Sequence, residues 1–134
     1  MLRNKMKKMA CVALASICLA STGATAFAGT IPFNVTVGGS GTQDPLSMKE
    51  IKTADGDQYA YFTGTWFSNT NGIYVRSYKK SDTTLYSSRT YLSSGNAGST
   101  IKCRYNRNAD GGEYYFMKAT AASGKVNAKG NYCP

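Results

Sequence analysis

The chain of 134 residues contains no histidine. This absence excludes Ser-His-Asp and Cys-His catalytic sites, zinc sites with imidazole ligands and histidine-based pH switches. Acidic residues are few, with 7 Asp and Glu against 16 Lys and Arg, and proline occurs three times. The glycine patterns of nucleotide-binding loops and the G-x-S-x-G motif of hydrolases do not occur either. The sequence thus argues against these catalytic classes.

The longest apolar run lies near the amino terminus and covers only twelve residues, 9–20. Four basic residues precede it, and the small-residue pattern Ala26-Phe27-Ala28 follows it. A basic start, a short apolar run and an A-x-A site are typical of a secretory signal peptide, whereas a membrane-spanning helix needs about 20 apolar residues. The pattern predicts a signal peptide over residues 1–28, cleaved before Gly29. The remaining residues, 29–134, are predicted to form one secreted domain, extracellular or associated with the cell envelope.

Cleavage changes both the charge and the cysteine count. The leader holds four of the 16 basic residues, which leaves 12 against 7 acidic residues and a net charge of +5. Cys103 and Cys133 are the two cysteines that follow the cleavage site. In an oxidising compartment such a pair is usually a disulfide, and a redox or metal pair would call for a C-x-x-C spacing or a His partner. The sequence therefore predicts a disulfide bond between Cys103 and Cys133.

Alternating apolar and polar residues dominate the rest of the chain and predict an all-β fold. The Asn71-Gly72 pair indicates a hairpin between residues 59–67 and 73–78, and a second hairpin is expected between 101–106 and 113–120. Residues 46–53 fit one helical turn, but a strand that ends at the turn 55–57 is favoured. With turns roughly every 8 to 12 residues, we expect a small antiparallel β-sandwich or barrel of about seven strands. The predicted strands are 31–37, 59–67, 73–78, 85–92, 101–106, 113–120 and 124–132.

Two groups of acidic residues are candidates for chemical sites. Asp55 and Asp57 flank a glycine, which fits either a plain turn or a calcium ligand set, but the terminal Glu of an EF-hand is missing. Glu50 and Glu113 offer a carboxylate pair of the kind that glycosidases use, as any small domain with seven acids would. A turn and solvated carboxylates are the simpler interpretations. We therefore expect no metal, no cofactor and no enzymatic activity.

A combination of aromatic and basic residues at strand spacing points to binding instead. Such residues alternate on three predicted strands, and if their faces adjoin they form a cationic surface that carries aromatic rings. This surface would suit an anionic cell-wall or extracellular polysaccharide, or the acidic headgroups of a bacterial membrane, with nucleic acid the least favoured partner. The simpler interpretation is a solvent-exposed coat that protects the sheet from aggregation. The candidate binding residues are Tyr74, Arg76, Tyr78, Arg89, Tyr91, Lys102 and Arg104.

Three short segments carry a resemblance: 74–78 (YVRSY), 113–119 (EYYFMKA) and the final 130–134 (GNYCP). Together with the signal peptide, they resemble small secreted β-proteins of Gram-positive bacteria. The resemblance implies secretion and a compact β fold, and it implies no activity and no catalytic residues. In size and predicted destination the chain is also similar to secreted bacteriocins of the lactococcin type.

The sequence thus predicts a secreted, cationic, non-catalytic module that binds an anionic polymer of the cell envelope or extracellular space. The alternative is a secreted antibacterial effector that acts on neighbouring cells. An enzyme would need two acidic residues that converge in a cleft.

Overall fold

The computed structural model describes residues 29–38, 50–52 and 56–134. The predicted signal peptide, residues 39–49 and Asp55 lie outside the described residues, and so does most of the ambiguous segment 46–53. No helix within the described ranges is long and apolar enough to cross a membrane.

The described residues form eight strands and a short 3-10 turn at Ser94–Asn96. Seven of these strands have three or more residues, and the all-β prediction is confirmed. The strands are β1 (Ile31–Val37), β2 (Glu50–Ile51), β3 (Tyr59–Phe67), β4 (Ile73–Lys79), β5 (Thr90–Leu92), β6 (Thr100–Arg104), β7 (Tyr114–Ala121) and β8 (Val126–Cys133).

The strands build two antiparallel sheets of four strands each. Sheet I has the order β1-β8-β3-β6, and sheet II has the order β2-β7-β4-β5. A β-bridge between Ser87 and Tyr105 joins the sheets at one corner, where the Ser88 amide donates to the Arg104 carbonyl at 2.8 Å. Across the described residues the two sheets do not close into a barrel.

Neither predicted hairpin exists, because each of the two loops crosses between the sheets. β3 lies in sheet I whereas β4 lies in sheet II, and β6 and β7 are divided in the same way. The loop after β3 docks onto the connection between β7 and β8, where the Asn69 side chain donates to the Lys125 carbonyl and the Ala122 amide donates to the Gly72 carbonyl. An Asn-Gly pair thus marked a reversal of the chain without fixing which strand pairs with which.

The inward faces of both sheets share one hydrophobic core. β1 buries every second residue from Ile31 to Val37, and β8 buries the predicted face from Val126 to Tyr132. The alternation fails in β3, because a bulge between Gly64 and Trp66 shifts the register against β8. Phe67 is therefore buried and Trp66 is 48% exposed, although the pattern placed Trp66 on the face of the buried residues Ala60 and Phe62.

A buried cluster of hydroxyl groups, the Ser77 junction (Ser77, Ser87, Tyr105 and Tyr132), joins the sheets inside this core. The Ser77 hydroxyl of β4 lies 2.8 Å from the Tyr105 hydroxyl and 2.5 Å from the Tyr132 hydroxyl. The Ser77 amide donates to the Ser87 hydroxyl at 3.0 Å. Buried polar groups of this kind are stable only when they are paired, so the junction fixes how β4 faces sheet I.

The predicted disulfide bond is wrong for this structure. Cys103 and Cys133 are both buried thiols and are not joined within the described chain. Cys103 pairs with Ala60 on one side of β3, and Cys133 pairs with Tyr61 on the other side. Two strand spacings separate strands by about 10 Å, whereas a disulfide needs Cα atoms within about 7 Å. Spacing along the sequence gave no information about the strand that lies between the two cysteines.

Thiol labelling tests this correction. We expect residues 29–134, purified and unfolded in denaturant without a reductant, to take up two iodoacetamide groups, one on each cysteine. In the folded protein Cys103 should label slowly, because it is buried and burial raises the pKa of its thiol. Unfolded, unreduced protein that takes up no label would show that the two cysteines are bonded after all.

Unfolding at alkaline pH tests whether the hydroxyls of three tyrosines are buried. Burial raises the pKa of Tyr105 and Tyr132 well above its ordinary value, and it raises the pKa of Tyr115 to about 12. These hydroxyls stay protonated in the folded protein at a pH where they ionise in the unfolded chain. Their contribution to stability is therefore complete below about pH 10 and is lost as the pH rises towards 12 and beyond.

We expect the urea midpoint of unfolding to fall as the pH rises above about 10, and Tyr132→Phe to reduce that fall. Tyr114→Phe is the matched control, because Tyr114 is exposed and should leave the pH dependence as in the parent protein. A midpoint that stays constant up to pH 12 would contradict the burial of these hydroxyls.

Candidate functional site

The outer face of sheet II carries most of the candidate binding residues. β4 alternates strictly at its start, with Ile73, Val75 and Ser77 buried and the residues between them partly exposed. Because the Ser77 junction holds one face of β4 against sheet I, the other face turns outwards and presents Tyr74, Arg76 and Tyr78. These are three of the seven residues that the sequence singled out.

The partner strand β7 adds a polar and aromatic row to the same face. Its register with β4 places Thr120 opposite Tyr74, Lys118 opposite Arg76 and Phe116 opposite Tyr78. The Tyr78 and Phe116 rings stack with their centroids 5.5 Å apart. Arg76 and Lys118 are like charges at directly opposed positions, an arrangement that destabilises a sheet.

Two guanidinium groups of this face lie over tyrosine rings. The Arg76 guanidinium carbon is 4.6 Å from the centroid of the Tyr86 ring, and that of Arg89 is 4.3 Å from the centroid of the Tyr74 ring. Each contact contributes about 0.5–1 kcal/mol at an exposed position and more where water is excluded. The rings therefore hold both cations in place without neutralising their charge.

Between these groups lies a shallow pocket of about 130 Å³. Arg76, Arg89 and Lys118 approach it from three different chain segments, and Thr120 contributes a hydroxyl. The Arg76 Nε is buried and has no hydrogen-bond partner among the described residues. A buried donor without a partner costs about 1–3 kcal/mol, so the folded protein carries an unfavourable contact at this point.

No described residue that lines the pocket is acidic. The ion pairs of the described chain lie elsewhere, between Lys79 and Asp110 at 3.0 Å and between Arg107 and Asp82. The Asp110 carboxylate holds the pKa of Lys79 above its ordinary value, and hydrogen bonds from Thr84, with Arg107 adding to them, hold the pKa of Asp82 below its ordinary value. The described lining of the pocket therefore supplies three basic side chains and no carboxylate.

Tyr91 extends the aromatic part of this face and is 39% exposed. It pairs with Tyr74 across β4 and β5, and the two ring centroids are 5.4 Å apart. Its ring also lies directly on Gly72, since a Cβ there would come within 2.2 Å of the ring. The glycine of the predicted hairpin therefore makes room for a ring of the candidate site.

The structure thus brings five of the seven predicted residues together: Tyr74, Arg76, Tyr78, Arg89 and Tyr91. Lys102 and Arg104 lie on β6 in sheet I and are exposed. Arg104 lies across the corner from Ser88, and the Lys102 ammonium is 5.0 Å from the centroid of the Tyr59 ring. Of the three predicted strands that carry candidate residues, 73–78 and 85–92 therefore contribute to sheet II, whereas 101–106 contributes to sheet I.

Sequence reasoning missed Tyr86, Phe116 and Lys118. Phe116 and Lys118 alternate on a strand that was predicted, so their outward direction was available from the sequence. The residues that lie beside them could not be predicted, because the expected hairpin paired β4 with β3 instead of with β7.

Asp57 and Glu113 are the members of the two acidic groups whose side chains the structure describes. Asp57 accepts hydrogen bonds from the Tyr61 hydroxyl at 2.7 Å and the Tyr59 amide at 3.2 Å, as a residue in a turn does. Asp55 and the side chain of Glu50 lie outside the described part of the structure. Among the described residues there is no group of three side chains that could hold a metal ion.

Comparison of the chain with protein-family models, with curated proteins and with solved structures finds no match in any of the three. The outer face of sheet II is accordingly interpreted from its own geometry.

Proposed function

We propose that the protein is secreted and binds an anionic polymer of the cell envelope or extracellular space through the outer face of sheet II. The observation that carries this proposal is the pocket at which Arg76, Arg89 and Lys118 converge with no acidic residue among its described lining. In this proposal the protein binds its polymer and does not transform it.

The fixed positions of the cations favour binding over a simple solvent-exposed coat. Long basic side chains on a surface normally keep their freedom of rotation, and ordering them costs free energy when a ligand binds. Here both guanidinium groups already lie on tyrosine rings, so much of that ordering is done before the ligand arrives. Polymer sugars or backbone segments can then pack on the rings of Tyr74 and Tyr91 while the anionic groups meet the cations.

The proposal is tested by removing positive charges from sheet II and, in a control, from sheet I. We expect Arg76→Gln/Arg89→Gln to weaken binding to polyanion-coated beads by about tenfold or more, because each charge-assisted contact contributes about 1.5–3 kcal/mol. Binding by the parent protein should also weaken between about 50 and 200 mM NaCl, as screening increases. The measurement is a binding isotherm for residues 29–134 on beads that carry poly(glycerol phosphate) or polygalacturonate.

The matched control is Lys102→Gln/Lys129→Gln, which removes the same charge from exposed positions on sheet I. This variant should bind within about threefold of the parent protein, since net charge alone acts weakly beyond a Debye length. Equal losses for both double variants would mean that total charge, and not the outer face of sheet II, determines binding. Binding that survives the loss of Arg76 and Arg89 would refute the proposal.

A further inference from the structure

We propose that the bound polymer lies along β4 and that its site continues past the pocket to Lys80 and Tyr114, so that the ligand is a linear chain with anionic groups along its length. A short anionic fragment would fill only part of this site. This inference rests on the proposed function and names the form of its ligand. Its basis is the row of outward side chains that β4 and β7 present side by side.

The outward row extends beyond the pocket to the far end of both strands. The Lys80 amide donates to the Tyr114 carbonyl at 2.8 Å, which continues the register of β4 with β7 by one residue. Tyr114 is 49% exposed and alternates with the buried Tyr115, so it points to the same side as Phe116. Lys80 is exposed, and its ammonium lies 5.8 Å from the centroid of the Tyr114 ring. The outer face of sheet II therefore carries a further cation that contacts an aromatic ring.

A pair of stacked rings separates this cation from the pocket. Arg76 and Lys80 are four residues apart, which corresponds to about 14 Å at the rise per residue of an antiparallel strand. The stacked rings of Tyr78 and Phe116 occupy the positions between them. A ligand that extends from the pocket along β4 thus passes over an aromatic surface and then reaches a second cation.

The charges along the row favour an anionic chain as the ligand. None of the outward residues that the structure describes from Tyr74 to Lys80, or from Tyr114 to Thr120, is acidic. The two ion pairs within the described ranges do not include Lys80. A chain with several anionic groups contacts both cationic positions as one molecule, and its second contact forms at a high effective concentration. A small anion contacts one position and gains nothing from the other.

Ligands of two lengths test this inference. Digalacturonate and octagalacturonate are titrated separately into ¹⁵N-labelled residues 29–134 at constant ionic strength, and amide chemical shifts are recorded. We expect both ligands to shift the signals of Arg76 and Arg89, but only octagalacturonate to shift that of Tyr114 and to bind with the gain of a second contact. Glycerol phosphate oligomers of the same two lengths are titrated in parallel, because the expected dependence on length does not require one kind of anionic group.

Variants of Lys80 separate the second contact from the first. Lys80→Gln should weaken binding of the octamers by about fivefold and binding of the dimers by less than about twofold, whereas Lys80→Arg should bind both like the parent protein. The hydrogen bond from Lys80 to Tyr114 uses the backbone, so these variants should keep the fold. The matched control is Lys129→Gln, which removes an exposed ammonium that lies 5.3 Å from the centroid of the Trp66 ring on sheet I. It should change binding of either length by less than about twofold.

The outcomes distinguish this inference from the proposed function. If Lys80→Gln affects both lengths equally, leaves octamer binding unchanged or has no more effect than Lys129→Gln, the extended site is overturned. If Arg76→Gln/Arg89→Gln still weakens polymer binding in that case, the proposed function stands. If that double variant binds the octamers like the parent protein, or if no oligomer binds, both proposals fail. Binding to phosphatidylglycerol vesicles that the octamers do not displace would assign the row to a membrane surface and overturn the inference of a chain ligand.

Discussion

The Ser77 hydroxyl is the contact on which the arrangement of the two sheets depends. It lies at an inward position of β4, within hydrogen-bonding distance of the hydroxyls of Tyr105 and Tyr132. Tyr132 is part of β8 in sheet I, and Tyr105 directly follows β6 of the same sheet. A rotation or a one-residue slip of β4 would leave these buried hydroxyls unpaired, and it would turn Arg76 into the core. The junction therefore specifies the register that apolar packing alone leaves less well defined, and the outward direction of Arg76 and its neighbours follows from it.

The polar groups on the outer face of sheet II are less completely paired than those in the core. Inside the domain the hydroxyls are paired and the apolar residues are packed, whereas the outer face retains two opposed cations and a buried donor that lacks a partner in the described structure. Sequences tend to satisfy every local rule except where function requires otherwise. The stacking of guanidinium groups on tyrosine rings keeps this face ordered despite its repulsion. In the proposed function, stability and binding thus depend on opposite faces of β4.

The sequence predicted the strands well and their partners poorly. The alternation in β1 and β8 identified their buried faces because a period of two is a local property. The hairpins and the disulfide were wrong because each depends on contacts between distant segments. Whether β6 adjoins β4 was left open by the sequence for the same reason. The exposure of Trp66 was missed for a related reason, since the bulge that turns it outwards is a feature of the pairing of β3 with β8. Five of the seven site residues met because they lie on β4 or on the segment that pairs with it.

Mapping amide chemical shifts while poly(glycerol phosphate) is added to residues 29–134 tests the central claim most directly. The account predicts saturable shifts confined to β4, to the outward residues of β7 and to the segment from Arg89 to Tyr91. Residues on the outer face of β3 and β8 should keep their positions in the spectrum. Shifts that spread evenly over both sheets, or that centre on Trp66 and Lys129, would contradict the assignment of binding to the outer face of sheet II.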